Sequence, residues 1–224
     1  MLTVIIPTLN AAAVLPATLA ALAEGRALIR EIIVSDGGSS DGTAEVAAAA
    51  GCHVVEGPRG RGVQLKAGAD AARGDWLLFL HADTCLEAAW VGAVRSFCAE
   101  AANAKRAAYF RFALADAAPA ARRLESLVAW RCRALGLPYG DQGLLIHAAT
   151  YRALGGFAAV PLMEDVELVR RIGRANLAAL PVRAVTSAAR YRHGGYCLRP
   201  LRNLLCLSLY FAGVAPARLA RLYG

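Results

Sequence analysis

Ile32-Ile33-Val34-Ser35-Asp36-Gly37-Gly38-Ser39-Ser40-Asp41-Gly42-Thr43 passes from an apolar run, through a polar glycine-rich loop, into small helix-forming residues. Residues 31–34 read as a strand, and residues 41–50 as a helix that Ser40 or Asp41 can cap. A strand feeding a loop and then a helix is the repeating half of a β-α-β unit. The same order recurs on both sides. Upstream, residues 2–6 predict a strand and residues 13–23 a helix, joined by a turn at Asn10. Downstream come a strand at 52–55 with a helix at 60–72, then the strand DWLLFL at 75–80 with a helix at 86–101. Near-continuous apolar strands alternating with amphipathic helices predict an α/β fold: a mostly parallel central sheet with helices on both faces.

The second half is less regular. Strands are expected at 107–113 and 144–147, and helices at 118–135 and 164–174, the latter with Glu164 and Asp165 in its first turn. From Tyr191 the chain alternates arginine with large apolar residues. Residues 1–190 therefore read as one domain and 191–224 as a helical tail. Such a tail suits packing on its own domain, on a second copy in a homodimer, or on an anionic membrane surface.

Bulk properties narrow the function classes. At 224 residues and 57% hydrophobic, with mean hydropathy +0.41, the chain can bury a sizeable core, and disorder is excluded. The formal net charge is +8, carried almost wholly by arginine, since Lys66 and Lys105 are the only lysines. A basic balance suits phosphorylated substrates, an anionic membrane or nucleic acid. No zinc-finger spacing, helix-turn-helix signal or arginine–aromatic strand supports nucleic acid, so it is not expected as a partner. The six cysteines stand singly, without metal or disulfide spacing, and read as free thiols in a reducing compartment. No basic n-region precedes the first strand, and the apolar run from Leu204 to Val214 is too short to span a bilayer. The expected location is cytoplasmic, with the tail as a peripheral contact at the inner face of the membrane.

Polar clusters fall at the carboxyl ends of three predicted strands: Pro7-Thr8-Leu9-Asn10, then 35–43, then His81-Ala82-Asp83-Thr84. In open α/β sheets that edge is where ligands bind, and turn chemistry alone does not account for three clusters along it. In order, VIIPTLN, IIVSDGGSSDGT, GRGVQLKAGADAARGDWLLFLHADT and MEDVELVRRI resemble the motifs of family 2 glycosyltransferases of the GT-A (nucleotide-diphospho-sugar transferase) fold, over about residues 2–175. Through RYRHGGY and the apolar tail, the whole chain also resembles a small subfamily labelled arsenosugar-biosynthesis glycosyltransferases.

The resemblance implies transfer of a sugar, with inversion, from a nucleotide-sugar donor (UDP-linked) to a small-molecule or lipid-linked hydroxyl acceptor. Pro7, Thr8 and Asn10 would line the nucleotide pocket, and Asp36 would accept a hydrogen bond from the base. Arg61, Gln64 and Lys66 would lie where the chain approaches the donor, a cation there facing the diphosphate, with His81 and Ala82 beside the donor. Asp83, at the last acidic position of the family's DxD, would hold Mg²⁺ or Mn²⁺, joined by His193. Asp165 would be the general base, because an inverting transfer needs a carboxylate to take the acceptor's proton. Glu164 would help orient base or acceptor, and a helix N-terminus favours negative charge at both.

The chain departs from the family at His81, where DxD usually has an acid, and at DGGSSDGT, one residue longer than the common loop. The QxxRW signature is not evident. Blander readings stand beside these. Asp36 and Asp41 could simply cap the following helix, and Glu164-Asp165 could be helix-start acids. Gly140-Asp141-Gln142-Gly143 is an acceptor-side loop or an ordinary turn, and Trp130 an interface anchor or an acceptor-cleft wall. A nucleotidyltransferase would carry a basic glycine-rich loop where PTLN stands, and a dinucleotide oxidoreductase would need GxGxxG there. A non-catalytic nucleotide-sugar-binding protein is the remaining alternative.

Overall fold

The computed structural model describes residues 1–189, 191, 195–196 and 198–223. Strand–helix alternation holds from the N-terminus as far as the fourth strand. β1 (Leu2–Thr8) leads to α1 (Leu15–Leu22), and β2 (Ile29–Asp36) to α2 (Thr43–Ala49). β3 (His53–Glu56) leads to α3 (Arg61–Ala71), then β4 (Trp76–Phe79) follows. Pro16 sits in the first turn of α1, where its missing N–H costs nothing and its fixed φ suits a helix start.

The helix expected at 86–101 begins later than its sequence suggests. Thr84–Leu86 forms β5, and α4 runs Trp90–Ala99. The reason is non-local: Thr84–Leu86 pairs antiparallel with β8 (Leu177–Thr186), a strand the sequence reading did not contain. Pro181 and Arg183 obscure β8. Yet Leu180, Val182 and Ala184 are buried while the residues between them are exposed, the period-two pattern of a half-covered strand.

The rest of the chain supplies β6 (Ala107–Leu114), α5 (Pro119–Leu135), β7 (Leu144–His147), α6 (Ala148–Ala153) and α7 (Glu164–Ile172). Two tail helices follow, α8 (Leu198–Phe211) and α9 (Pro216–Tyr223). The described strands form one sheet in the order β3-β2-β1-β4-β7-β6-β8-β5. The first four are mutually parallel; β7 runs antiparallel to β4 and β6, and β6 parallel to β8. The sheet is thus parallel on the side that carries the three polar clusters and mixed beyond β4. Because β1 lies between β2 and β4, all three clusters open on one edge.

Helices cover both faces. Leu15, Leu22, Trp90 and Val94 pack on one face with Phe110, and Leu65, Phe157, Leu168 and Tyr151 on the other with Phe79. Each fully buried large side chain contributes roughly 1.5–3 kcal/mol. The tail lies on the domain: Cys206, Leu207 and Leu219 are buried against Met163, Val166 and Val169. Among the described residues no helix is long and apolar enough to cross a membrane.

Candidate active site

The ends of β1 and β4, with the start of α3, enclose an open cleft. It is lined by Pro7, Thr8, Asn10, Arg61, Gln64, His81, Ala82 and Asp83. Local geometry explains how the loops hold still. Asn10 adopts a left-handed backbone (φ 51°), which asparagine tolerates better than most residues. Its side-chain oxygen accepts from the Ser40 amide at 2.9 Å, and its own amide donates to Ser39 Oγ at 2.8 Å. Gln64 is buried and donates through Nε2 to the carbonyls of Thr8 (2.6 Å) and Ser35 (2.9 Å), tying β1 to β2 beneath the cleft.

Two of the expected donor residues sit elsewhere. Asp36 is buried, and its carboxylate accepts from Thr8 Oγ1 (2.8 Å), Ser39 Oγ (2.5 Å) and the amides of Gly38 (3.0 Å) and Ser39 (2.7 Å). Burial pushes this carboxyl up, but the bonds from Ser39, Thr8 and Gly38 outweigh it and hold Asp36 below its ordinary value. Its acceptor capacity is spent within its own loops, and it does not line the cleft. Lys66 points along the outside of α3, paired with Asp70 at 2.6 Å. Asp41 staples the first loop to the start of α2, accepting from the Ala12 amide and from Thr43, while the N-cap position itself is taken by Gly42, without a side-chain cap bond, and not by Ser40 or Asp41.

Beside this cleft lies a second pocket, shared at Arg61, His81 and Asp83 and closed by Gly140, Asp141 and Asp165. Its floor is the start of α7. Met163, just ahead of that helix, is also left-handed (φ 67°), a conformation costly for a side chain of its kind. Asp165 accepts from the Val166 amide through Oδ1 and from the Gly140 amide through Oδ2, both at 2.8 Å. Arg61 reaches across from α3, donating to Glu164 Oε1 and standing 3.7 Å from Asp165 Oδ2. Glu164 is 1% exposed; burial pushes its carboxyl up even with Arg61 beside it. Burial disfavours the Arg61 cation too, but Glu164 and Asp165 outweigh that and hold it charged. A β-carbon on Gly140 would lie 2.7 Å from His81 Nε2 and 3.4 Å from Asp165 Oδ2, so only glycine lets these two groups approach the turn together.

Asp141 is the site residue whose weight the sequence did not show. Gln142, buried beneath it, donates to the Phe110 carbonyl (3.1 Å) and accepts from the Tyr139 amide (3.2 Å) and Arg131 (3.3 Å). Arg131 stacks on the Tyr139 ring at 3.4 Å. This frame presses Asp141 inward, leaving Oδ1 buried with no hydrogen-bond partner among the described residues. Burial pushes its carboxyl up to about 6, with Arg131 opposing and Asp165 adding to the rise. A carboxyl raised on folding stabilises the fold below its unfolded value, near 3.9, and loses that contribution as pH climbs through about 6. Asp141→Asn is therefore expected to raise stability by about 2 kcal/mol at pH 7.5 and to leave it unchanged near pH 4. Urea unfolding at the two pH values checks this.

Among the described residues no three His, Cys, Asp or Glu side chains converge to cage a metal ion. The arrangement nonetheless fits a hard divalent ion held jointly with a ligand's phosphates, which needs only one or two protein carboxylates. Asp83 stands where the two clefts meet and can serve as that carboxylate. His193 lies outside the described residues.

Residues 3–104 match the family described as Glycosyl transferase family 2, which covers the donor edge from β1 through α4. A PGL/p-HBAD biosynthesis glycosyltransferase of Mycobacterium tuberculosis, and its counterpart in Mycobacterium bovis, are 39% identical over 108 residues. The match covers 45% of this chain, and it spans 42%, less than half, of those relatives' own length. Among solved structures, glucosyl-3-phosphoglycerate synthase of M. tuberculosis, crystallised with Mn²⁺, UDP and glucosyl-3-phosphoglycerate, superposes with a TM-score of 0.62. It is 18% identical, covering 92% of this chain and 78% of that one. Staphylococcus aureus TarS (residues 1–349) gives 0.66 at 14% identity, covering 99% and 69%. Mannosyl-3-phosphoglycerate synthase of Rubrobacter xylanophilus gives 0.63 at 18%, covering 95% and 75%. Identities this low speak for the fold, while the family match speaks for the motifs on the donor edge. With both in hand, residues 3–104 carry the motifs of the family 2 glycosyltransferases, and the chain is built on the GT-A fold of the solved glycosyltransferases it superposes on.

Proposed function

We propose that the protein moves a sugar from a UDP-linked donor to an acceptor hydroxyl, with inversion and with Mg²⁺ or Mn²⁺ assisting. The observation that carries this reading is the meeting of two clefts at Arg61, His81 and Asp83, with the Asp165 carboxylate across the junction. The nucleotide lies along the β1 and β4 edge against Pro7, Thr8, Asn10 and Ala82. Asp36 and Gln64 shape that wall from behind. Asp83 faces the diphosphate and would hold a divalent ion there, whose chemistry would be to neutralise charge on the leaving group. Arg61 adds a fixed cation at the same junction. Asp165 keeps a free lone pair on each oxygen after its two backbone bonds, and takes the acceptor's proton as the hydroxyl attacks. The UDP and Mn²⁺ bound by glucosyl-3-phosphoglycerate synthase on the same fold support the choice of nucleotide and metal.

A second assignment of the base has its own observation. Asp141 lines the same pocket, its Oδ1 has no partner among the described residues, and its raised carboxyl titrates near neutral pH, where a general base works best.

Calorimetric titration with UDP and GDP, with and without Mn²⁺, tests the donor site. UDP is expected to bind far more tightly with Mn²⁺ than without, and Asp83→Ala to remove the metal-dependent part, on the order of 100-fold in affinity. Absence of binding by either nucleotide would overturn the reading. Tight binding without any turnover of a UDP-sugar would instead point to a non-catalytic binding protein.

A further inference from the structure

Beyond Asp141 the acceptor pocket does not close. It continues into a groove between α5 and α8, whose walls are Leu124, Val128, Trp130, Leu135, Leu204 and Leu207. Pocket and groove share Tyr139, Asp141, Tyr191 and Asn203, so they form one continuous cavity with a polar end and an apolar end. The junction has a particular chemistry. Asp141 Oδ1 and Asn203 Oδ1 are both buried, and neither has a hydrogen-bond partner among the described residues. Buried acceptors left without donors are costly, and two at one junction call for a ligand that brings hydroxyl hydrogens. Past them the walls are nearly all hydrocarbon. Trp130 at 58% and Leu204 at 57% stand exposed on opposite sides of the groove, an arrangement disfavoured in water unless an apolar partner covers it.

We infer that the cavity binds an amphiphilic acceptor, its hydroxylated head between Asp165 and the Asp141–Asn203 junction and its hydrocarbon chain in the α5–α8 groove. That the head is the sugar acceptor rests on the transfer reaction proposed above; the chain-binding groove does not. Continuity with the acceptor pocket favours such a molecule over a second copy of the protein or a bilayer surface. Neither of those would supply hydroxyl donors to two oxygens buried inside the cavity. The basic groups Arg131 and Arg199 flank the passage and suit a head that also carries negative charge.

The test uses terminally brominated alkan-1-ols of eight to twelve carbons, each kept below its solubility limit. Bromine quenches tryptophan on contact; Trp76 and Trp90 are buried in the core and Trp130 stands at the groove. Saturable quenching is expected, lost in Trp130→Phe, with affinity rising roughly three- to four-fold per added methylene as each is buried. Leu204→Asp and Leu127→Asp, the latter also on the α5 wall of the groove, alter exposed side chains, 57% and 63% accessible, so the fold tolerates both. Each is expected to weaken quenching at least ten-fold while leaving UDP affinity unchanged. Quenching that does not saturate, or that ignores both substitutions, overturns the inference. So does a native dimer that Leu204→Asp turns into a monomer, which would make the groove a subunit interface. Binding to lipid vesicles but not to the monomeric alcohols overturns it in favour of a membrane surface. UDP binding without alcohol binding removes the groove and spares the transferase reading; alcohol binding without UDP binding does the reverse.

Discussion

Asp165→Asn is expected to slow sugar transfer about a thousand-fold while changing UDP affinity by less than three-fold. The size of the effect follows from what the amide cannot do. Asp165 already accepts the amides of Gly140 and Val166, one on each oxygen. Asparagine keeps one acceptor oxygen and turns an N–H toward the other amide, so no basic lone pair remains for the incoming hydroxyl. In the reading proposed above the nucleotide lies in the cleft along the β1 and β4 edge, which this carboxylate does not line. Release of UDP from the UDP-sugar that the native protein turns over gives the rate, and calorimetry gives the affinity. A loss smaller than ten-fold would remove Asp165 from the role of base. Asp141→Asn, measured alongside, decides between the two carboxylates. If it alone abolishes turnover, the base is Asp141, and the pH–rate profile of the native protein should bend near 6.

The contrast between these carboxylates shows why one half of the site was legible in the sequence and the other less so. The donor edge is built from local units. β1, β2 and β4 announce themselves as apolar runs, and each polar cluster immediately follows its strand, so the clusters that hold Pro7, Thr8, Asn10 and Asp83 fall on one sheet edge by pattern, while their individual roles rest on the family resemblance alone. Sequence could not say where side chains spend their hydrogen bonds. Asp36 turns into its own loop and Lys66 turns away along α3, although both stand at motif positions. Asp141 was read within a turn that either serves the acceptor or merely reverses the chain. Its burial comes from Gln142 reaching the Phe110 carbonyl and Arg131 stacking on Tyr139, contacts that no local pattern encodes. The unexpected β5–β8 pair has the same origin: Thr84 reads as the end of a polar loop and Leu86 as the start of a helix until a strand a hundred residues away claims both. That pairing also fixes Asp83, since the Ser187 amide at the end of β8 donates to its carbonyl at 3.2 Å.

Arg61→Met is expected to destabilise the fold by about 3 kcal/mol at pH 7.5, the largest loss among the site's substitutions. Arg61 joins the two halves of the molecule: it starts α3 on the donor side and pairs with Glu164 and Asp165 at the head of α7. Glu164 is 1% exposed, so removing its partner leaves a carboxylate buried without compensation, which costs more than the pair itself contributes. The close approach of the two elements sharpens this. A β-carbon on Gly62 would lie 2.4 Å from the Ala158 carbonyl and 3.2 Å from Glu164 Cβ, so the first turn of α3 is held directly against the head of α7. The pH dependence follows in sign. Burial already raises the Glu164 carboxyl, and without Arg61 it rises further. The variant should therefore recover stability as pH falls through that raised value, with full recovery below the ordinary glutamate range near 4.3. Arg61→Met combined with Glu164→Gln should return to within about 1 kcal/mol of the native protein at pH 7.5, because the amide buries no charge. Denaturant unfolding of the single and double variants at pH 7.5 and 4.5 measures all of this. If the double variant is as unstable as Arg61→Met alone, the loss comes from the packing of the arginine stem against α7 and not from the stranded charge.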